Sequence, residues 1–316
     1  MPAEHLPGLY ILDDWAILGV GGADAPDFLH GQFTNDLLAL PEDQAQLSAY
    51  CMPKGQMVAN FLIWRTAGSQ YRIALPSNLA QAVSQRLQLF KLRTNVEIES
   101  LAETLSLFGI TESYLEENPQ TPIQLPQSPL GKTETGPYTA IAWPGSRPRW
   151  LVACPPDAAD ALWERSEAPG SGSDLWRLWD IQDGIAFVRA GNREQFVPQH
   201  LNLDLVDAIS FSKGCYPGQE VVARMKYRGQ VKFRTYRLSG DCDEAPVPGD
   251  PIHLGEDPEA RPCGRVVDAR IPPGGGPCQM LASVRAADAD QPLRAQHPDG
   301  PPLERLPLPY ELTEGN

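Results

Sequence analysis

The spacing of apolar residues divides this chain into alternating strands and helices as far as residue 228 and into short strands alone beyond it. Residues 8–20 alternate loosely and predict two short strands around Asp13-Asp14-Trp15. Asp24-Ala25-Pro26 reads as a helix N-cap with proline in the first turn, and Gly31 ends that helix. Residues 32–36 read as polar loop leading into a second short helical turn. Strands at 46–51 and 57–65 are joined by the turn Met52-Pro53-Lys54-Gly55-Gln56, and 71–75 is a third strand. Leu79, Val83, Leu87 and Phe90 then fall on one stripe of a helix opened by Pro76-Ser77-Asn78. Further strands are expected at 96–98, 105–110, 138–143 and 150–154. Further helices are expected at 112–117, 156–165 and 175–183, the last capped by Asp174. Residues 118–135, rich in Pro, Gln, Ser and Gly, predict a mobile surface loop, and 169–173 a flexible joint.

Past Gly229 no helical stripe is visible. Apolar runs at 231–238, 251–254, 264–271 and 279–284 are separated by Pro- and Gly-rich turns, with Gly274-Gly275-Gly276 as a hairpin tip. That texture predicts a small antiparallel β-barrel. The closing Leu306-Pro307-Leu308-Pro309-Tyr310 is expected to dock back along the surface. The whole reads as α+β. A bilobed region covers 1–228, with lobes near 1–102 and 103–228 and an interleaved division left open, followed by a barrel domain at 229–316. A chain of 316 residues is long enough for two or three domains.

Composition narrows the function classes. A net charge of −14 and a pI near 4.8 argue against broad nucleic-acid binding and against an anionic membrane surface. No apolar run is long enough to span a bilayer, and Met1-Pro2-Ala3-Glu4-His5 shows no basic segment ahead of an apolar one. A soluble, cytoplasmic protein, working as a monomer, is the expectation. Cys51, Cys154, Cys215, Cys242, Cys263 and Cys278 form no C-x-x-C pair, so neither a zinc or iron–sulfur site nor a disulfide framework is expected. The charge is uneven, however. Lys213, Arg224, Lys226, Arg228, Lys232, Arg234 and Arg237 face only Glu220 in the same stretch. The strip reads either as a local anion site or as solvent-facing strand residues.

The densest chemistry lies in Lys213-Gly214-Cys215-Tyr216-Pro217-Gly218-Gln219-Glu220. Two glycines forbid regular structure until Pro217, whose fixed φ suits a first helical turn, and Val221, Val222 and Met225 give the following helix an apolar face that ends near Gly229. Cys215 then sits just ahead of a helix N-terminus with Lys213 two residues away, a setting that favours a thiolate. The alternative is a buried small cysteine in a glycine-rich turn.

This run resembles the K-G-C-Y-x-G-Q-E signature of the YgfZ family, folate-binding proteins related to the glycine-cleavage T protein. The resemblance extends from Leu12 to Tyr310. It takes in Leu12-Asp13-Asp14-Trp15, the pattern from Gly22 through Gln32 to Thr34-Asn35-Asp36, Phe90-Lys91-Leu92-Arg93, and the approach Gln195-Phe196-Val197-Pro198-Gln199. Ala186 stands where the family often has proline. The kinship implies three domains around a central cavity that holds tetrahydrofolate or another folate derivative. Trp15 falls on a folate-associated tryptophan and Trp176 on a second found in some members, although Trp179, one turn on, could turn inward instead. Tyr216 and Arg224 are further cofactor-binding candidates. Cys215, Lys213, Gln219 and Glu220 are the candidate reactive group and its support. The aminomethyltransferases carry Asp and Phe where this chain has Cys215 and Tyr216, which argues against simple aminomethyl transfer.

Three readings follow from the resemblance. One is a folate-dependent accessory factor for iron–sulfur enzymes, such as a tRNA methylthiotransferase, with Cys215 as the reactive residue and an indirect effect on tRNA. Another is a tetrahydrofolate-dependent one-carbon transferase, which needs a carboxylate such as Asp13 or Asp36 in the pocket. The third is a folate-binding module without chemistry.

Overall fold

A computed structural model of the chain describes residues 8–164, 172–255 and 261–312. The joint expected at 169–173 lies largely outside the described residues. In chain order the elements are β1 (Leu9–Ile11), β2 (Trp15–Gly21), α1 (Ala25–His30), β3 (Ala45–Cys51), β4 (Met57–Arg65), β5 (Tyr71–Pro76), α2 (Ser77–Phe90) and β6 (Glu97–Ser100). There follow β7 (Ser106–Thr111), α3 (Glu112–Glu117), β8 (Lys132–Thr135), β9 (Tyr138–Ala142), β10 (Arg149–Cys154), α4 (Pro156–Trp163), α5 (Asp174–Asp183) and α6 (Gln219–Tyr227). The last six strands are β11 (Phe233–Gly240), β12 (Pro251–Leu254), β13 (Gly264–Arg270), β14 (Cys278–Arg285), β15 (Leu293–Ala295) and β16 (Pro302–Leu306).

Two compact units share these elements. The first comprises Met1–Phe28, Leu38–Gln46 and Leu62–Trp176, the second Leu29–Leu37, Leu47–Phe61 and Arg177–Asn316. One five-stranded sheet has the order β3-β4-β5-β2-β6, and the division into units falls within β3 and β4.

In the first unit, β1-β7-β10-β9-β8 form an antiparallel sheet. Leu9, Phe108, Ile110 and Val152 from its strands pack with Tyr114 of α3 and with Ala159 and Leu162 of α4. The apolar stripe of α2 buries Leu79, Val83 and Leu87, as the helical period requires, but Phe90 at its end remains exposed. Residues 118–135 are less loop-like than their composition suggests. Ile123 is buried, the indole N–H of Trp150 donates to the Pro126 carbonyl at 2.8 Å, and β8 pairs with β9.

In the second unit, β11-β14-β13-β12-β15-β16 close into a barrel whose neighbours are all antiparallel. Leu238, Val266, Met280, Ala282 and Val284 fill its core. The two strands not foreseen, β15 and β16, are short, and β16 is largely exposed, so neither carries an apolar run. The tail does dock: the Tyr310 hydroxyl donates to the Gly184 carbonyl at 2.8 Å and accepts from the Asn202 amide at 3.3 Å. Residues 32–36 are loop, as expected: Phe33 bridges to Tyr50, and Thr34 takes the Ala49 N–H on its hydroxyl and hands its own N–H to the Ala49 carbonyl. The helical turn expected beyond that loop is absent, and residues 37–40 make only bends and a turn before β3.

Asn60 of β4 is the buried polar link of this unit. Its amide donates to the Ala186 carbonyl at 2.7 Å and accepts from the Val188 N–H at 2.8 Å. Asn60→Ala leaves both backbone groups buried and unpaired, and we expect a loss of about 1–3 kcal/mol in urea unfolding. A loss below experimental error would show that water replaces the amide.

Candidate functional site

The signature loop belongs to the second unit. Gly218 is the N-cap of α6 and has φ +85°, in the left-handed region that favours glycine. A Cβ there would lie 2.6 Å from the Met52 carbonyl oxygen and 2.9 Å from the Cα of Gly55, itself at φ +88°. The loop and the 52–56 turn therefore meet backbone to backbone, and both positions need glycine. This contact also moves the helix start. Pro217 lies in the turn before α6 rather than in its first turn, because Gly218 must leave the right-handed region first. Cys215 is exposed and has no hydrogen-bond partner among the described residues.

Lys213 is buried, and its ammonium donates to three backbone carbonyls, those of His30, Phe33 at 2.6 Å and Asn35 at 3.2 Å. It also lies 5.2 Å from the centre of the Tyr216 ring. Burial lowers its pKa to about 8, with the Asp36 carboxylate pulling the other way. Asp36 in turn sits 3.3 Å from His30. The segment that supplies the carbonyls is pinned by side chains. Asn35 donates to the Leu47 carbonyl at 2.9 Å and to the Asp207 carbonyl at 2.7 Å, and Thr34 donates to the Ala208 carbonyl at 2.8 Å. The Lys213 ammonium donates to these carbonyls, and no hydrogen bond joins it to Cys215.

The remaining loop residues divide by exposure. Tyr216 is buried and its hydroxyl is pushed up by burial, then by nearby Cys51. Gln219 donates to the Lys213 carbonyl at 3.5 Å, bracing the loop, while Glu220 and Arg224 are exposed. The basic strip does not form one surface. Arg234 makes a two-point ion pair with Asp204 at 2.6 and 3.0 Å, and Arg237 donates to Gln279 at 2.8 Å. Arg224, Lys226, Arg228 and Lys232 are exposed, with Lys226 3.7 Å above the Phe211 ring.

Trp15 and Trp176 belong to the first unit. There Trp143 joins them edge-on, 5.4 Å from Trp15 and 5.7 Å from Trp176. The Arg149 guanidinium lies 4.6 Å over Trp176 and donates to its carbonyl at 3.3 Å. Trp176 is fully buried because Gly109 lets it in: a Cβ on Gly109 would meet the ring at 2.3 Å. Trp15 lines a cavity of about 310 Å³ with apolar walls from Ile17, Leu107 and Phe108 and with Asp13 and Asp160 at its margin. Trp143, Arg149, His30, Thr34 and Asn35 were not singled out as site residues from sequence. For Thr34 and Asn35 the signal was the family pattern they stand in; for Trp143 and Arg149 there was none.

Comparison with known proteins fits this geometry. No family model matches the chain. The architecture is that of a glycine-cleavage T-type aminomethyltransferase. It superimposes on the crystal structure of glycine cleavage system aminomethyltransferase T from Bartonella henselae with a TM-score of 0.75, covering 96% of this chain and 85% of that one. At 15% identity that likeness is one of fold. By sequence the chain is 34% identical over 313 residues to the tRNA-modifying protein YgfZ of Yersinia pestis (strain Pestoides F), covering 97% of this chain and 93% of the relative. It is 32% identical to the protein of that name from Serratia proteamaculans, covering 99% and 95%. The chain belongs to the YgfZ family.

The buried ammonium has a signature in pH. Between about 8 and the 10.5 of an ordinary lysine, the unfolded chain holds the proton that the folded chain has released. Stability contributed at Lys213 therefore rises with pH across that window. The unfolding free energy of the wild type minus that of Lys213→Met should grow from pH 8 to about pH 10. A flat or shrinking difference would mean that the carbonyls hold the lysine charged throughout.

Proposed function

We propose that this protein binds a tetrahydrofolate derivative and acts as an accessory factor for iron–sulfur enzymes, among them one that modifies tRNA, with Cys215 as its reactive group. The observation that carries the reading is the exposed, unpartnered Cys215 on a loop fixed at both flanks, by the Lys213 carbonyl cage and by the Gly218–Gly55 contact. A thiol kept only for packing would be buried, as Cys51 and Cys154 are. The tRNA-modifying name of the relatives and the aminomethyltransferase fold support the folate and tRNA parts.

The residues present fit a folate in kind. A pterin is a flat ring with an N–H-rich edge, and the cavity beside Trp15 pairs an aromatic and apolar wall with two carboxylates able to accept from such an edge. Bound tetrahydrofolate would supply a carrier for one-carbon units. The chain's own parts in the chemistry are simpler. Lys213 and Gln219 hold the loop, and Cys215 presents its sulfur to a partner.

Two measurements test this. Tetrahydrofolate should bind the wild type in a calorimetric titration, and Trp15→Ala should weaken it by about 0.5–1.5 kcal/mol, roughly 2- to 12-fold. Unchanged affinity removes Trp15 from the site. Cys215→Ser should fold normally, because the thiol is exposed and unbonded, yet fail to restore tRNA methylthiolation and iron–sulfur enzyme activity in bacteria lacking their own family member. Full rescue by the serine variant would leave a folate-binding module with no thiol chemistry.

A further inference from the structure

A second cavity, of about 390 Å³, lies in the second unit, where the 195–200 segment covers the outside of the barrel. Its floor is set by strand register. Ser283 of β14 stands opposite Thr235 of β11 and Arg265 of β13, so all three share the face opposite the Ala282 and Val284 core positions. Thr235 is spent on the His200 carbonyl at 2.7 Å. Ser283 is not: its hydroxyl is buried and has no hydrogen-bond partner, although it lines the cavity. An unmet buried hydroxyl costs stability, and a group meeting it from the cavity side would offset that cost.

The other lining residues say what that group belongs to. Phe233 and His200 form an aromatic wall, with ring centres 5.2 Å apart. Burial, then Arg234, lowers His200 to about 4, which leaves it a neutral flat surface at physiological pH. Arg261 and Arg265 are exposed at the opening, and the lining contains no carboxylate. Arg265 is steadied by donating to the Gly249 carbonyl at 2.9 Å. Two cations, an aromatic wall and one unmet hydroxyl define a single ligand chemistry.

We propose that this cavity binds a small aromatic anion, a flat ring seated on Phe233 and His200 that carries a phosphate or carboxylate to Arg261 and Arg265 and meets the Ser283 hydroxyl with its edge. Neither Trp15 nor any residue of the signature loop lines this cavity.

The test uses the full chain and two probes, adenosine monophosphate for a phosphate-bearing ring and 4-hydroxybenzoate for a carboxylate-bearing one. At least one should bind with a Kd below about 1 mM by calorimetry. Stronger binding of the nucleotide assigns the phosphate form, and the reverse order assigns the carboxylate form. The double variant Arg261→Glu/Arg265→Glu should weaken the better probe at least about tenfold. Ser283→Ala should weaken it a few-fold while leaving the melting temperature unchanged or higher, since it removes an unpaired group. Trp15→Ala should leave probe binding intact, and the arginine double variant should leave tetrahydrofolate binding intact. The inference is overturned if neither probe binds at about 10 mM, well above the expected Kd. It is also overturned if charge reversal leaves affinity unchanged, or if either cross-test shows the two sites to be one.

Discussion

The second unit depends on one buried ammonium. Lys213 reaches from the signature loop to the carbonyls of His30, Phe33 and Asn35, residues nearly two hundred positions earlier. A charge taken out of water must have its donors met, and an ammonium has three. The His30 carbonyl lies at the end of α1, and those of Phe33 and Asn35 follow in a non-helical stretch where Thr34 and Asn35 spend their side chains on Ala49, Leu47, Asp207 and Ala208. Arginine is no substitute, because its planar fork matches a carboxylate rather than three oxygens around a point. Lysine is thus chosen for shape as much as charge, and the cage fixes where Cys215 must emerge.

The opposite flank is fixed by absence of side chain. Gly218 and Gly55 approach so closely that any Cβ at Gly218 collides with backbone, which unlike a side chain cannot swing away. An ammonium cage on one side and a backbone contact on the other leave the residues between them little freedom, and only Tyr216 of the pair turns inward, under the Lys213 charge. Cys215 faces out because its neighbour faces in.

Much of this was legible beforehand, and the divide follows the range of the interactions. The stripe of Leu79, Val83 and Leu87 and the bounds of α3 are local periodic signals, and they hold in the structure. So does the barrel texture past Gly229. What failed was decided at a distance. The basic strip looked continuous, but Arg234 answers to Asp204 thirty positions back and Arg237 to Gln279 on another strand. Pro217 looked like a helix start, yet Gly218 and the far turn at Gly55 set the boundary. The sequence left open whether Trp176 or Trp179 turns inward; the structure buries both, and the space for Trp176 is made by Gly109 on β7. Strands as short and polar as β16 have no pattern to read.

The cysteines show how burial sorts the chain's thiols by access. Cys51, Cys154, Cys263 and Cys278 are buried, and desolvation pushes Cys51, Cys154 and Cys278 up to about 12 and Cys263 to about 11. Cys242, half-buried beside Cys278, is raised as well, again by burial first. A thiol reacts as its thiolate, so five of the six are both shielded and held protonated at neutral pH. Cys215 alone stands in solvent. A partner or an electrophile meeting the folded chain therefore finds one thiol by access alone, in the loop whose position Lys213 and Gly218 determine.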